Sequence, residues 1–231
     1  MKALLLSASG YKDTGYLNHS KGWIKEFLGK EWDEEILFIP FAGVTRTNDE
    51  YEKRVRDALE NQNIKSIHHY SDMKKAIKNA KSICVGGGNT FMLMAKIYEF
   101  DLLEEIQNAV KNGTKYFGWS AGANIAGKTM MTTNDMPIIM PKSFKTLNLF
   151  PYQINPHFIS GQIKGHNGES RETRLNEFLI ANQNEIIYAL PEGTGFLING
   201  NEAELIGHYD ALKFEYKKDI ATVKLCDKIK I

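Results

Sequence analysis

The chain is poor in the features that mark specialised classes of protein. It carries only two cysteines, Cys84 inside an apolar run and Cys226 near the C-terminus. They are too few and too far apart for the disulfide framework of a small secreted fold, so a cytoplasmic protein is expected. Net charge is almost absent, +1 at pH 7, and acidic and basic residues are scattered rather than blocked. Without a field of one sign to gather nucleic acid or an anionic membrane, neither is an expected partner. Long hydrophobic runs are missing too. Ala3 to Leu6 is too short for the core of a signal peptide, and no later stretch has the length to span a bilayer. There is no repeat, low-complexity tract or linker, and the glycines of "VGGGNT" from Val85 are neither followed by Gly-Lys-Ser/Thr nor part of a complete G-x-G-x-x-G, which disfavours a phosphate or dinucleotide reading of that loop. No metal-ligand spacing accompanies His68 and His69, which are read as structural, as is His19.

What is present is an alternation of short apolar runs with longer charged, periodic segments. That is the pattern of parallel strands joined by crossover helices, and residues 1–231 are read as a single α/β domain. Strands are expected at "ALLLSAS" from Ala3, "EILFIPFA" from Glu35, "IKSIHHY" from Ile64, "SICVGGG" from Ser82, "KYFGWS" from Lys115, "YQINPH" from Tyr152 and "EIIYALPE" from Glu185. "NDEYEKRVRDALENQN" reads as a helix capped by Asn48 or Asp49, with Val55 and Leu59 on its buried stripe. Near the end the character changes. Asn199-Gly200 between two apolar runs signals a hairpin, and "LKFEYKKD" with "ATVKLC" reads as antiparallel edge strands.

Ligands of open parallel sheets bind beyond the carboxyl ends of the strands. The fifth, sixth and seventh expected strands end at Ser120, His157 and Glu192, so an alcohol, an imidazole and a carboxylate are expected at one edge of one sheet. Ser120 sits in Gly118-Trp119-Ser120-Ala121-Gly122, a glycine-x-serine-x-glycine pattern suited to a strained turn between strand and helix. A serine needs an adjacent base, and the base needs a third group to orient it. A developing oxyanion needs fixed donors; the amide of Ala121 is one candidate, and Gly88 in "VGGGNT" supplies another from a backbone that approaches closely. Each residue also has a plainer reading, His157 as a structural histidine and Glu192 as a turn carboxylate.

Several blocks together resemble a known family: "IPFAGVT" at Ile39, "VGGGNTF" at Val85, "GWSAGAN" at Gly118, "TTNDMPI" at Thr132, "INPHF" at Ile154, "GHNGESRETR" at Gly165 and "LPEG" at Leu190. In this order they resemble peptidase E, the aspartyl dipeptidase family of serine peptidases. The resemblance implies a flavodoxin-like three-layer sandwich related to class I glutamine amidotransferases, with a mostly parallel sheet and C-terminal antiparallel edge strands. It implies hydrolysis of dipeptides and some longer peptides after an N-terminal aspartate, without metal or cofactor. Its serine and histidine fall on Ser120 and His157. For the third member, one assignment falls on Glu192 and another on Asp135; the strand-end argument favours Glu192.

An aspartyl side chain calls for a cation, and arginine offers a bidentate fit. Arg171 is the candidate, just past Ser170, a plausible N-cap, where the helix dipole disfavours positive charge by a few tenths of a kcal/mol. The plainer alternative is a solvated arginine balanced by Glu169 and Glu172. Glu169 or Asp135 is a candidate for the substrate α-ammonium, and Asn89 is a further substrate-binding candidate. The expected partner is a small peptide, and the expected state a monomer or small homo-oligomer. Rival readings are a cyanophycinase-like exopeptidase, which needs an open groove, and a non-catalytic peptide-binding protein.

Overall fold

The computed structural model describes residues 1–162, 165 and 167–231. In chain order the elements are β1 (Lys2–Leu6), α1 (Lys21–Leu28), β2 (Ile36–Ile39), α2 (Asn48–Leu59), β3 (Ile64–Ser66), α3 (Met73–Asn79), β4 (Ser82–Val85), α4 (Thr90–Glu99), α5 (Leu103–Lys111), β5 (Lys115–Trp119) and α6 (Ala121–Asn124). There follow β6 (Gln153–Asn155), α7 (Arg171–Ala181), β7 (Ile186–Ala189), β8 (Thr194–Asn199), β9 (Glu202–Gly207), β10 (Ala211–Glu215), β11 (Ala221–Val223) and β12 (Lys228–Lys230).

The alternation of side chains along a strand explains the layering. In β1, Leu4 and Leu6 join a cluster with Ile24 and Leu28 of α1 and Val55 and Leu59 of α2. Ala3 and Leu5 face the other way, into a cluster with Ile77 of α3, Leu93 and Ile97 of α4, and Ile106 and Val110 of α5. Both faces of the strand are therefore buried, as expected when helices cover a parallel sheet on each side. The main sheet has eight strands in the order β12-β9-β8-β1-β5-β4-β2-β3. Strands β1, β5, β4, β2 and β3 run parallel, whereas β8, β9 and β12 extend the sheet antiparallel beyond β1. This is a mixed α/β fold with a large, mostly parallel sheet flanked by helices.

The sixth and seventh strands form where the sequence indicates but not in that sheet. β6 and β7 pair parallel with each other in a second sheet of four strands, β11-β10-β7-β6. Tyr188 and Leu190 pack into the same apolar cluster as the inner face of the main sheet, and α7 covers the other side through Leu175 and Leu179. The expectation of one sheet edge is thus corrected to two sheets meeting, because periodicity reports which residues are extended and not which strands pair.

Smaller differences are local. The third strand stops at Ser66, and Ile67–His69 turn in a 3-10 helix. The cap of α2 is Thr47 rather than Asn48 or Asp49: its hydroxyl accepts from the Glu50 amide while Glu50 reaches back to the Thr47 amide, a capping box. The hairpin forms with Gly200 and Asn201 in its loop. Cys84 is buried and Cys226 exposed, both unpaired. Among the described residues no helix is long and apolar enough to cross a membrane.

Candidate functional site

Strand β5 ends in a turn too tight for ordinary backbone. Ser120 has φ 54° and ψ −113°, a region that costs a non-glycine residue roughly 1–3 kcal/mol and persists only where its surroundings enforce it. Here its amide donates to the carbonyl of Leu6 at 3.0 Å. A Cβ on Gly118 would stand 2.8 Å from the backbone of Gly122, and one on Gly122 would stand 2.2 Å from the carbonyl oxygen of Val85. Both expected flanking glycines are therefore required by close packing, and the serine is lifted clear of the strand.

His157 follows β6 through Pro156 and also has positive φ, 53°. Its Nε2 lies 2.8 Å from Ser120 Oγ, and its Nδ1 lies 2.6 Å from Glu192 Oε1. A carboxylate can only accept, so the Nδ1 proton faces Glu192, and Nε2 is left to accept the serine hydroxyl. What holds these groups is a residue the sequence reading missed. Ser7, wholly buried at the end of β1, accepts from the His157 amide at 2.9 Å and donates to the carbonyl of Leu190 at 2.7 Å. One hydroxyl thus ties the end of β6 and the segment leading to Glu192 onto the first strand of the main sheet. Its signal in the sequence is a serine closing the apolar run "ALLL".

A cavity of about 240 Å³ opens beside the hydroxyl, lined by Thr90, Ser120, Ala121, Thr133, Asn134, Asp135, Pro156, His157 and Arg171. Asp135 does not reach the imidazole. Its Oδ2 accepts from the Thr90 amide at 2.7 Å, the Thr90 hydroxyl at 2.6 Å and the Thr133 hydroxyl at 3.0 Å. Thr90 is the first residue of α4, so the carboxylate is fixed at a helix N-terminus, where its charge is favoured. Thr90, Thr133 and Asn134 were not singled out from the sequence, although each lies inside a quoted block.

Arg171 opens α7 behind the predicted cap, Ser170, whose hydroxyl accepts from the Thr173 amide. Its Nη1 donates to Asn134 Oδ1. Burial lowers its pKa below the ordinary arginine value, as does nearby Arg174, against an opposing pull from Asp135. Glu172 does not balance it, accepting instead from Ser160 Oγ and the Gly161 amide at 2.8 Å each. Arg171 is thus a half-buried cation without an ion pair among the described residues.

Two of the substrate-binding candidates fall outside the cavity. Glu169 is exposed and does not line it. Asn89 is the N-cap of α4: its Oδ1 accepts from the Met92 amide at 3.0 Å, and its Nδ2 donates to the Met136 carbonyl at 2.8 Å. Both ends of that side chain serve the scaffold. Of the block from Gly165 to Arg174, His166 lies outside the described residues. The glycine loop does approach the serine: a Cβ on Gly87 would stand 3.0 Å from Ser120 Cβ. Gly88 has φ 137°, and a Cβ there would meet the Ala42 carbonyl at 2.1 Å. The loop is held from below by Tyr51, whose hydroxyl donates to the Gly87 carbonyl at 2.7 Å. Ala121 opens α6, so its amide belongs to the turn whose N–H groups lack intrahelical partners.

The model of peptidase family S51 matches residues 3–206 of this chain. The peptidase E of Actinobacillus pleuropneumoniae serotype 5b (strain L20) is 52% identical over 221 residues, covering 95% of this chain and 94% of that protein. The peptidase E of Haemophilus influenzae (strain PittGG) is 51% identical over 221 residues, with the same coverage of 95% and 94%. The crystal structure of a peptidase from an acI-B1 Actinobacterium aligns with a TM-score of 0.67 over 100% of this chain and 96% of that one. At 15% identity its likeness speaks for the fold alone. These similarities make the protein a peptidase, a hydrolase of peptide bonds. The chain belongs to peptidase family S51.

Proposed function

We propose that this protein is a serine peptidase that releases N-terminal aspartate from dipeptides and short peptides. The observation that carries the proposal is the unbroken relay from the strained Ser120 hydroxyl through His157 to Glu192, at 2.8 Å and 2.6 Å.

The reaction is acyl transfer. Ser120 Oγ attacks the carbonyl carbon of the aspartyl residue while His157 Nε2 takes the hydroxyl proton. Glu192 keeps the imidazole oriented and stabilises the imidazolium. The negative charge formed on the carbonyl oxygen is held by the amides of Gly88 and Ala121. As the C–N bond breaks, the proton on Nε2 passes to the departing amine. Water, deprotonated by the same nitrogen, then attacks the acyl-enzyme; aspartate leaves and Ser120 regains its hydroxyl.

Specificity comes from charge in a small space. Arg171 meets the aspartyl side chain, which supplies the anion this guanidinium otherwise lacks. Asp135, held on one oxygen by Thr90 and Thr133, directs its other oxygen at the α-ammonium of the substrate. A cavity of about 240 Å³ lies below the ~300–1,000 Å³ typical of small-molecule sites. It suits one amino-acid residue with its amine, and it disfavours an extended polymer of the kind a cyanophycinase-like enzyme would thread.

The test is turnover of Asp-Leu beside Glu-Leu and Ala-Leu, together with covalent labelling by an organophosphonate. Preferred cleavage of Asp-Leu and labelling abolished by Ser120→Ala are expected. Equal turnover of the three peptides would remove the role given to Arg171. Absence of labelling would remove the nucleophile and leave a binding protein.

A further inference from the structure

A second cluster of histidines and carboxylates lies on the far flank of the sheet, where edge strand β3 runs into its 3-10 turn beside the first turn of α2. Asp49, His68 and His69 each present one ligand atom there, all within 4.8 Å of one another. Asp49 Oδ1 stands 2.9 Å from His68 Nε2 and 3.4 Å from His69 Nε2, and Glu52 Oε2 stands 3.0 Å from His69 Nε2. A tetrahedral ion with bonds near 2.0–2.1 Å sets its ligands about 3.3 Å apart along each edge.

We propose that Asp49, His68 and His69 bind a divalent first-row metal ion, zinc foremost, with water completing the coordination. Three lone-pair atoms converge at this point, with Glu52 Oε2 beside His69, and only protons on the rings or a cation between them can hold them together. His68 Nδ1 lies 2.6 Å from Ser66 Oγ, a buried hydroxyl. That hydroxyl can either donate or accept, so a cation at Nε2 selects the tautomer in which Nδ1 donates to it, the role second-shell partners play for ligating histidines. Glu52 is braced from behind, accepting from the Ser66 amide at 2.6 Å and pairing with Arg56 at 2.8 Å. The nearby cations are engaged elsewhere: Lys53 pairs with Asp57 at 2.6 Å, and Lys65 lies over the ring of Tyr70. Two imidazoles with a carboxylate suit zinc, nickel or copper(II) better than magnesium or calcium.

Because Thr47 caps α2, the carboxylate of Asp49 is free for this role. The ion would cross-link the start of α2 to the end of the edge strand β3.

The experiment uses the full chain without a histidine tag, stripped with chelator. Zn²⁺ is titrated by calorimetry, and Co²⁺ by its visible absorption, which reports tetrahedral coordination. One equivalent bound, with a higher melting temperature, is expected. Asp49→Asn, His68→Ala and His69→Ala should each weaken binding more than tenfold, and Ser66→Ala by roughly 10–100-fold; circular dichroism verifies that each variant is folded. His157→Ala should leave the titration unchanged. No saturable binding overturns the proposal, leaving histidines hydrogen-bonded to carboxylates. Binding that survives His68→Ala and His69→Ala, or that is lost in His157→Ala, overturns it equally.

Discussion

Two places in this molecule hold a serine, a histidine and a carboxylate in one hydrogen-bonded row. In one, His157 lies between Ser120 at 2.8 Å and Glu192 at 2.6 Å. In the other, His68 lies between Ser66 at 2.6 Å and Asp49 at 2.9 Å. Distances do not distinguish them; surroundings do. Ser66 is fully buried in extended backbone, φ −75° and ψ 142°, two residues from its histidine. Ser120 stands on a backbone with φ 54°, opens onto a cavity, and has the amide of Ala121 and the glycine loop at hand. The first trio is proposed to do acyl transfer and the second to hold a metal. The comparison teaches that exposure of the nucleophile and nearby amide donors separate a reactive serine from a merely bonded one.

The sharpest way to break that contrast is to delete each hydroxyl. Ser120→Ala should lower kcat on Asp-Leu by about 10⁶, as loss of the nucleophile does in subtilisin. Ser66→Ala should leave kcat where it was, and a comparable loss there would erase the distinction. Next in size are the acids. Glu192→Gln should cost on the order of 10⁴ in kcat, by analogy with the orienting acid of a Ser-His-Asp triad. Asp135→Asn should act mainly on KM, because its hydrogen bonds run to Thr90 and Thr133 and not to the imidazole. A reversal of that ranking in steady-state kinetics would move the orienting role to Asp135. Arg171→Met should lower kcat/KM for Asp-Leu by roughly 10–100-fold, the worth of a hydrogen bond to a charged group, while Ala-Leu turnover stays level.

The braces beneath the two sites give the smallest effects. Ser7→Ala breaks both of its hydrogen bonds and leaves the His157 amide unsatisfied. Urea unfolding should register a loss of about 1–3 kcal/mol, accompanied by a lower kcat. Thr47→Ala removes the cap of the helix that carries Asp49 and should cost about 1 kcal/mol with kcat unchanged. A kcat loss from Thr47→Ala as large as that from Ser7→Ala would mean that the two regions are coupled rather than separate.

Much of this was legible in the chain before folding. The strained elbow was written in Gly118 and Gly122, the cap of α7 in Ser170, and the buried stripe of α2 in Val55 and Leu59, because each depends on residues within a turn or two of one another. Ser7 was not legible, since its hydroxyl matters only once β1 lies against segments about 150 and 183 residues away. His68 and His69 looked idle for the same reason: their carboxylate partner, Asp49, arrives from a helix and not from their own strand. Glu169 and Asn89 show where block membership and position part. Both sit in blocks that border the site, yet one is exposed outside the cavity and the other caps α4.

By itself the sequence determined which segments are strands and helices, which serine is strained, and that an imidazole and a carboxylate follow at strand ends. Local sterics and hydrophobic periodicity act through neighbours in the chain, so those properties travel with the residues. The tertiary structure decided that β6 and β7 leave the main sheet for a second one, and that Glu192 rather than Asp135 meets the imidazole. It also decided that Arg171 is left half-buried, without an ion pair among the described residues. Each of these depends on which surfaces pack together, and burial, strand pairing and the loss of water around a charge are set only when distant parts of the chain meet.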